Sequence, residues 1–523
     1  YPAQEGTGTD ISIQASPAVE SSVSPPAVQK IRILPIRSTF ITKAIVYELG
    51  DRTNLKKVRE VELEGNYVSS RKVGASLYLV ANKGFNVYPL LRNDISVEEQ
   101  NAALTQAAPS YRDSAAESDV FVKIGYEDIR YFPKSIQPNY LLIAGFNLDE
   151  PGQKMDVTSY LGSGNQVYAS QSNLYVTTQE YTPAAEPAAM DSEMKKMRIL
   201  PGETSSVIYK FGMDQGKVRY AGRGKVPGRT LNQFSMDEHD GHFRIATTTG
   251  FAGMNGEAAS KNNMYVLNES MNITGKIEDI APGEQIYSVR YAGNKAYMVT
   301  FRTVDPLFVI DLKNPQEPKI LGKLKIPGYS NYLHPYDENH LIGFGKDTVE
   351  VTTNYGQRES QNTTAFYQGM KMAMFDVSDV ANPKELYSEV IGDRGTDSEL
   401  LHNHKALLFS KEKNLLAFPV TVRETDKTGS STTPVKEASS YGQFAFQGAY
   451  VYKLDLTDGF KLRGKITHLT DDDYLKAGQY SGLSERSIER ILYIGDILYT
   501  SSQQILKATD SATLQDVNTI NLP

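Results

Sequence analysis

Apolar and polar positions alternate along this chain in short runs, and Gly, Asn, Asp or Ser punctuates them at near-regular intervals. The stretch YAGNKAYMVTF, Tyr291 to Phe301, shows the unit: an aromatic start, a Gly-Asn turn, then apolar residues in near alternation. Period-two alternation puts one face of a strand into a core, and residues that tolerate positive φ or cap their own backbone close the tight turn between two strands. Six further stretches carry the same device: KVGASLYLVANKG (Lys72 to Gly84), YASQSNLYVTTQ (from Tyr168), MDEHDGHFRIATT (from Met236), YDENHLIGFGKD (from Tyr336), FSKEKNLLAFPV (from Phe409) and YIGDILYTSSQ (from Tyr493). Seven hairpins of one kind are predicted.

Between them lies a second unit, clearest in LFVIDLKNPQEPKILGKLKIPG (Leu307 to Gly328) and MAMFDVSDVANPKELYSEVIG (Met372 to Gly392). Weaker copies start at Ala44, Leu141, Val207, Met264 and Ala449, and an eighth, from Gln504, closes the chain. Each is a strand, a polar turn, then a more exposed strand bearing Lys and Glu. A lone hairpin buries too little to be stable, so alternating hairpin types must stack. The prediction is an all-β chain, a single β-propeller of seven or eight four-stranded antiparallel blades, with Tyr/Leu strands nearer the channel and Lys/Glu strands at the rim. Two stacked β-sandwiches are the rival, but sandwich strands would not repeat one order of hairpin types along the whole chain.

The propeller is predicted over 39–523, with insertions near 85–128, 352–370 and 421–447. Short helices are expected at SVEEQNAALTQAA (from Ser96, a Ser cap with acids in the first turn), DDDYLKAGQ and SERSIERIL. Eight rim units against seven inner hairpins leave one, Ala44 to Gly65, without an inner partner, and its open edge needs cover.

Residues 1–38 read as an extended N-terminal arm. Their Ser, Pro, Ala and Gly content cannot build a core. Asp10, Ile11, Ser12, Ile13, Gln14 and Ala15 alternate like a strand, and the stretch holding Val19 and Val23 could run extended in a groove. Donation of this strand to a neighbouring subunit would be β-strand addition, and head-to-tail donation that does not close a ring makes a filament.

The 523 residues include no Cys and no Trp, 32 Tyr, and a net charge of -7. Disulfides, thiolate metal sites and a Cys nucleophile are excluded, no basic footprint for nucleic acid is present, and no apolar run is long enough to span a membrane as a helix. The chain begins at Tyr1, read here as a mature product whose export signal has been removed.

The stretches EGNYVSSRKVGASLYLVANK, GRTLNQFSMDEHDGHFRIATTTG, YSNYLHPYDENHLIGFGKD and IGDRGTDSELLHNHKALLFS resemble the secreted bacterial and archaeal proteins with a C-terminal β-propeller domain distantly related to WD repeats. The resemblance, from about Phe40 onward, implies a propeller and an extracellular location. It brings no established reaction. Members commonly have further sequence before the stretch matching Phe40, where this chain has a short arm.

For chemistry, His402 and His404 stand two apart in LHNHK, downstream of Asp393, Asp397 and Glu399, and SMDEHDGH supplies Asp237, Glu238, His239, Asp240 and His242. Such clusters could bind zinc or do acid–base work, yet the spacing of a zinc hydrolase is missing and polar turns explain most of both. Asp237, His239, Asp393, Asp397, His402 and His404 are the candidate propeller-face residues. No cofactor is firmly expected. Calcium suits an exported acidic chain better than zinc, with Asp455, Asp458, Asp471, Asp472 and Asp473 as oxygen ligands, although none forms an EF-hand loop. No nucleophile elbow, P-loop or dinucleotide fingerprint occurs.

The expected function is an extracellular structural or interaction protein, with a filament subunit partnered by other copies of itself through the arm as its particular form. The alternatives are a propeller-face module for a peptide or glycan and, after that, a metal-dependent hydrolase, which would need the Asp393–His404 and Asp237–His242 clusters to converge.

Overall fold

The computed structural model describes residues 40–523 apart from 52, 86–95, 117–118, 133–136, 184–201, 252–258, 303–304, 327, 354–361, 427–432 and 478–483. Within Ile41–Pro523 the described strands form eight sheets in chain order, here I to VIII, seven of four strands and one of five.

Sheet V shows how sequence becomes structure. Gln285–Ala292 and Lys295–Phe301 are its first two strands, joined across Gly293, whose φ of 54° is the left-handed conformation this turn requires. Lys295–Phe301 is almost wholly buried, because both its faces meet neighbouring sheets. Lys319–Ile326, the outermost strand, keeps its Lys residues in water. The same order of inner hairpin then Lys/Glu strand holds for sheet III (Gln166–Ala169 to Lys217–Pro227), sheet IV (Met236–His239 to Ile273–Ile280), sheet VI (Tyr329–Pro335 to Lys384–Ile391) and sheet VII (Leu408–Ser410 to Gly459–Ile466), while sheet VIII (Arg490–Ile494 to Asp516–Asn521) has the same strand order with an outer strand, DVNTIN, that bears neither. In sheet II the order is Asn66–Val73, Ser76–Gly84, Asn139–Asn147 and Asp156–Leu161, and Ile129–Tyr131 adds a fifth, parallel strand.

Successive sheets share apolar cores. Leu63 of sheet I meets Leu142 and Phe146 of sheet II, Tyr175 of III packs with Phe243 of IV, and Phe344 of VI packs with Phe418 of VII. Val451 of VII joins Ile491 and Leu498 of VIII. Burial of this area is the main stabilising term.

Three expectations are corrected. Ala44 to Gly65 is not an unpaired rim hairpin. Its strands, Ile41–Glu48 and Lys56–Glu64, open sheet I, and Ser110–Asp113 and Val122–Lys123 from the insertion near 85–128 complete it. Val61 and Leu63 face sheet II while Glu60 and Glu62 face away, and Arg112 of the third strand pairs with both carboxylates. A charge match across distant sequence set that pairing. SERSIERIL is a turn followed by the strand Arg490–Ile494, since its apolar residues serve the core with sheet VII. The insertions near 352–370 and 421–447 are narrower than expected, because the strands His340–Thr353, Asn362–Asp376, Leu415–Glu424 and Gln443–Asp455 run on into them. The helix Val97–Ala107 starts as read: Ser96 Oγ accepts from Glu99 N at 3.1 Å and Glu99 Oε2 accepts from Ser96 N at 3.0 Å, a capping box.

Candidate functional site: a cavity where the inner strands meet

In sheets II to V, residues of the inner strands line a shared space. A cavity of about 410 Å³ is lined by Arg71 of sheet II, Tyr168 and Ala169 of III, Met236 and Asp237 of IV, and Arg290 and Tyr291 of V. Two 3-10 turns add the rest, Gln233–Ser235 before sheet IV and His404–Ala406 before sheet VII. Each turn starts on an Asn whose side chain accepts from the backbone: Asn232 from Phe234 N and Asn403 from Lys405 N. The caps aim Gln233 and His404 at each other, with Gln233 Nε2 3.4 Å from His404 Nε2.

Arg71 donates to Val167 O at 2.8 Å and to Gln233 Oε1, so one guanidinium spans sheets II, III and the turn before IV. Burial pulls its pKa down. Arg290 lies 5.6 Å from the Phe234 ring, and its Nε is buried without a hydrogen-bond partner. Among the described residues the single lining carboxylate, Asp237, is held by Arg244 through Nε at 2.9 Å and Nη2. Tyr168 donates to the other Asp237 oxygen at 3.4 Å, and its pKa is pushed up to about 12, by burial first and then by Asp237.

The field in the cavity is positive. His404 is held below its usual pKa by burial, then by Lys405, Arg71 and Arg290. His334, whose Nδ1 is 3.1 Å from Tyr332 Oη, is pushed down to about 4 by burial, then by Arg290 and His404. Both imidazoles are neutral near pH 7, able to donate or accept a hydrogen bond.

Of the residues singled out in the sequence, Asp237 and His404 line the cavity. The others do not. His239 reaches Asn294 Oδ1 at 3.1 Å. Asp393 caps Thr425 through its N and Oγ1, each at 2.7 Å. Asp397 pairs with Lys346 and with the exposed His402, both at 2.9 Å. The two clusters converge through one residue each. Asp455 and Asp458 share Lys453, Asp472 pairs with Lys476 and Asp473 with Arg486, and among the described residues no group of three or more His, Asp or Glu is placed to hold a metal. The interaction residues Asp10 to Ala15, Val19 and Val23 lie outside the described residues.

Sequence reasoning missed Arg71, Gln233, Arg290 and Lys405. A signal existed for three of the inner strands: Arg71 pairs across its hairpin with Tyr78, Tyr168 with Tyr175, and Arg290 with Tyr297. The residue opposite the recurrent Leu-Tyr or Ala-Tyr tyrosine is the one that reaches the cavity.

Stacked four-stranded antiparallel sheets whose inner strands meet in a shared cavity define a propeller-type protein. The chain belongs to the beta propeller domain family, which matches residues 7–514. It is 39% identical over 442 residues to an uncharacterised protein of Archaeoglobus fulgidus, covering 72% of this chain and 62% of that protein. It is 26% identical over 517 residues to an uncharacterised protein of Methanocaldococcus jannaschii, covering 91% of this chain and 72% of that one. Among solved structures, the Pyrococcus horikoshii acylaminoacyl peptidase matches with TM-score 0.35 and 8% identity, covering 87% of this chain and 52% of the peptidase. The Neurospora crassa Pan2 WD40 domain matches with TM-score 0.30 and 8% identity, covering 67% and 76%. Likenesses this distant carry no argument about function. No described helix is long and apolar enough to cross a membrane.

Proposed function

We propose that this protein is an interaction protein working outside the cell, and that the cavity among its inner strands is where it grips a peptide or glycan. What supports the reading is convergence. Side chains from sheets II to V and from the turns before IV and VII meet in one cavity that mixes aromatic faces with polar groups, the usual make-up of a ligand site. The extracellular placement rests on the sequence resemblance to secreted propellers. Peptide and glycan arrays read with the wild-type chain and with Phe234→Ala test the site. Binders weakened at least about tenfold, at unchanged melting temperature, support it. Equal binding by both chains places the ligand elsewhere and overturns it.

A second reading, a filament subunit that donates Asp10–Ala15 to a neighbouring propeller, is favoured by one observation. The first and last sheets carry exposed apolar residues: Ile41, Ile45 and Tyr47 on sheet I, and Leu492, Ile494 and Ile520 on sheet VIII. Apolar rows of this kind mark interaction surfaces. Negative-stain electron microscopy with and without residues 1–30 decides it. Filaments that vanish on deletion support donation, and discrete particles in both samples sink it.

A further inference from the structure

The cavity holds an imbalance of charge. Arg71, Arg290 and Lys405 come from three separate places in the chain, and the only carboxylate that lines the same space among the described residues, Asp237, is already engaged by Arg244. None of the three cations has a carboxylate within ion-pairing distance among the described residues. Taking a guanidinium partly out of water without a counter-charge is costly, and a buried N–H without an acceptor adds to the cost. Arg290 Nε is in that position. Packing alone gives no return for it, since a Leu or Met could fill the place beside Phe234 without a charge.

We infer that the cavity receives an oxyanion, a carboxylate, sulfate or phosphate group borne by the ligand, with Arg290 as the group that binds it and Arg71, whose terminal nitrogens already donate to Ser69 Oγ, Ser70 O, Val167 O and Gln233 Oε1, adding positive charge beside it. This rests on the reading of the cavity as the ligand site. A planar guanidinium offers paired N–H groups that match an oxyanion's oxygens. Lys405, more exposed, adds a positive charge at the same cavity. Gln233 and His404 supply neutral hydrogen-bonding atoms between the cations. Asp237 does not repel the incoming group, because Arg244 cancels its charge. Phe234 and Tyr168, which line the same cavity, give aromatic surface for the body of the ligand beside its anionic end.

The test is calorimetric titration and thermal shift of the full chain with sodium acetate, sodium sulfate and sodium phosphate, each against sodium chloride at matched ionic strength. Wild type, Arg290→Gln, Arg71→Gln and the surface control Lys453→Gln are compared. Saturable binding of at least one oxyanion, weakened about tenfold to a hundredfold in Arg290→Gln and unchanged in the control, is the expected result. Acetate alone would point to a carboxylate, and sulfate or phosphate to a tetrahedral group. No saturable binding beyond chloride overturns the inference. A library ligand that Phe234→Ala abolishes but Arg290→Gln and added sulfate leave unchanged also overturns it while the binding module stands. Arg290→Gln melts no lower than wild type if the arginine serves a ligand. A lower melting point with unchanged anion affinity would make it structural.

Discussion

Two regions of this protein are rich in cations, and they use them in opposite ways. On sheet I, Lys43 pairs with Glu60 at 2.9 Å and with Glu62 at 2.6 Å, Lys57 with Glu60 at 2.7 Å, and Arg112 with Glu62 at 2.6 Å and Asp119 at 2.7 Å. Glu60 is pulled down to about 2, by Lys57 and then Lys43. Each charge of this network is answered by a carboxylate or cation within residues 43–119. In the cavity, Arg71, Arg290 and Lys405 face neutral atoms and each other's field. The difference teaches that cation content says little until the partners are known: the first set closes a sheet with its own carboxylates, and the second has no carboxylate of its own among the described residues.

The largest effect should come from breaking an internally answered charge in the core. Arg59 donates to Asp113 through Nε at 3.1 Å and Nη2 at 2.8 Å, both side chains almost wholly buried, and Met155 N donates to the same carboxylate. Asp113→Asn strands the guanidinium and should cost about 3–5 kcal/mol, read by denaturant unfolding. A loss below about 1 kcal/mol would erase the contrast with the cavity.

Acid should act next. His334 is held at about 4 in the folded chain against 6.5 when unfolded, so between those values the unfolded state binds more protons and stability falls as pH falls. The loss begins near pH 6.5, is on the order of 2 kcal/mol at pH 5, and levels off below about 4. Melting temperature against pH should lose part of this slope in His334→Gln. An unchanged slope would mean that His334 does not sit in the buried, positive setting described.

Glu60→Gln on sheet I should lower the melting temperature slightly, and 1 M salt should shrink the difference, because the partner lysines, Lys43 and Lys57, lie in water. A large, salt-independent loss would move this network into the class of the Arg59–Asp113 pair. Smallest of all is Arg290→Gln without added anion, for which no loss of stability is expected by thermal unfolding. A drop comparable to Asp113→Asn would abolish the distinction between the two regions.

Much of the fold was legible because its signals are local. The Gly-Asn turn at Gly293, the alternation of Lys295–Phe301 and the Ser96–Glu99 capping box each lie within a dozen residues. Sheet I was misread because its third and fourth strands arrive from the far side of a helix, chosen by the match of Arg112 to Glu60 and Glu62. Two of the six candidate propeller-face residues, Asp237 and His404, line the cavity, and both stood out as titratable residues. Arg71 and Arg290 did not, since an arginine in a half-exposed strand reads as a solvated face.

The amino-acid order by itself determined the hairpins, their turns and which strands carry Lys and Glu at the rim, because alternation and turn chemistry act over a few residues. Only the tertiary structure decided which of those turns meet. Arg71 bonds to Gln233, 162 residues away, and Gln233 reaches His404 another 171 residues on. Those separations are set by how twisted sheets stack on their shared cores, a sum over many apolar contacts that no local pattern records.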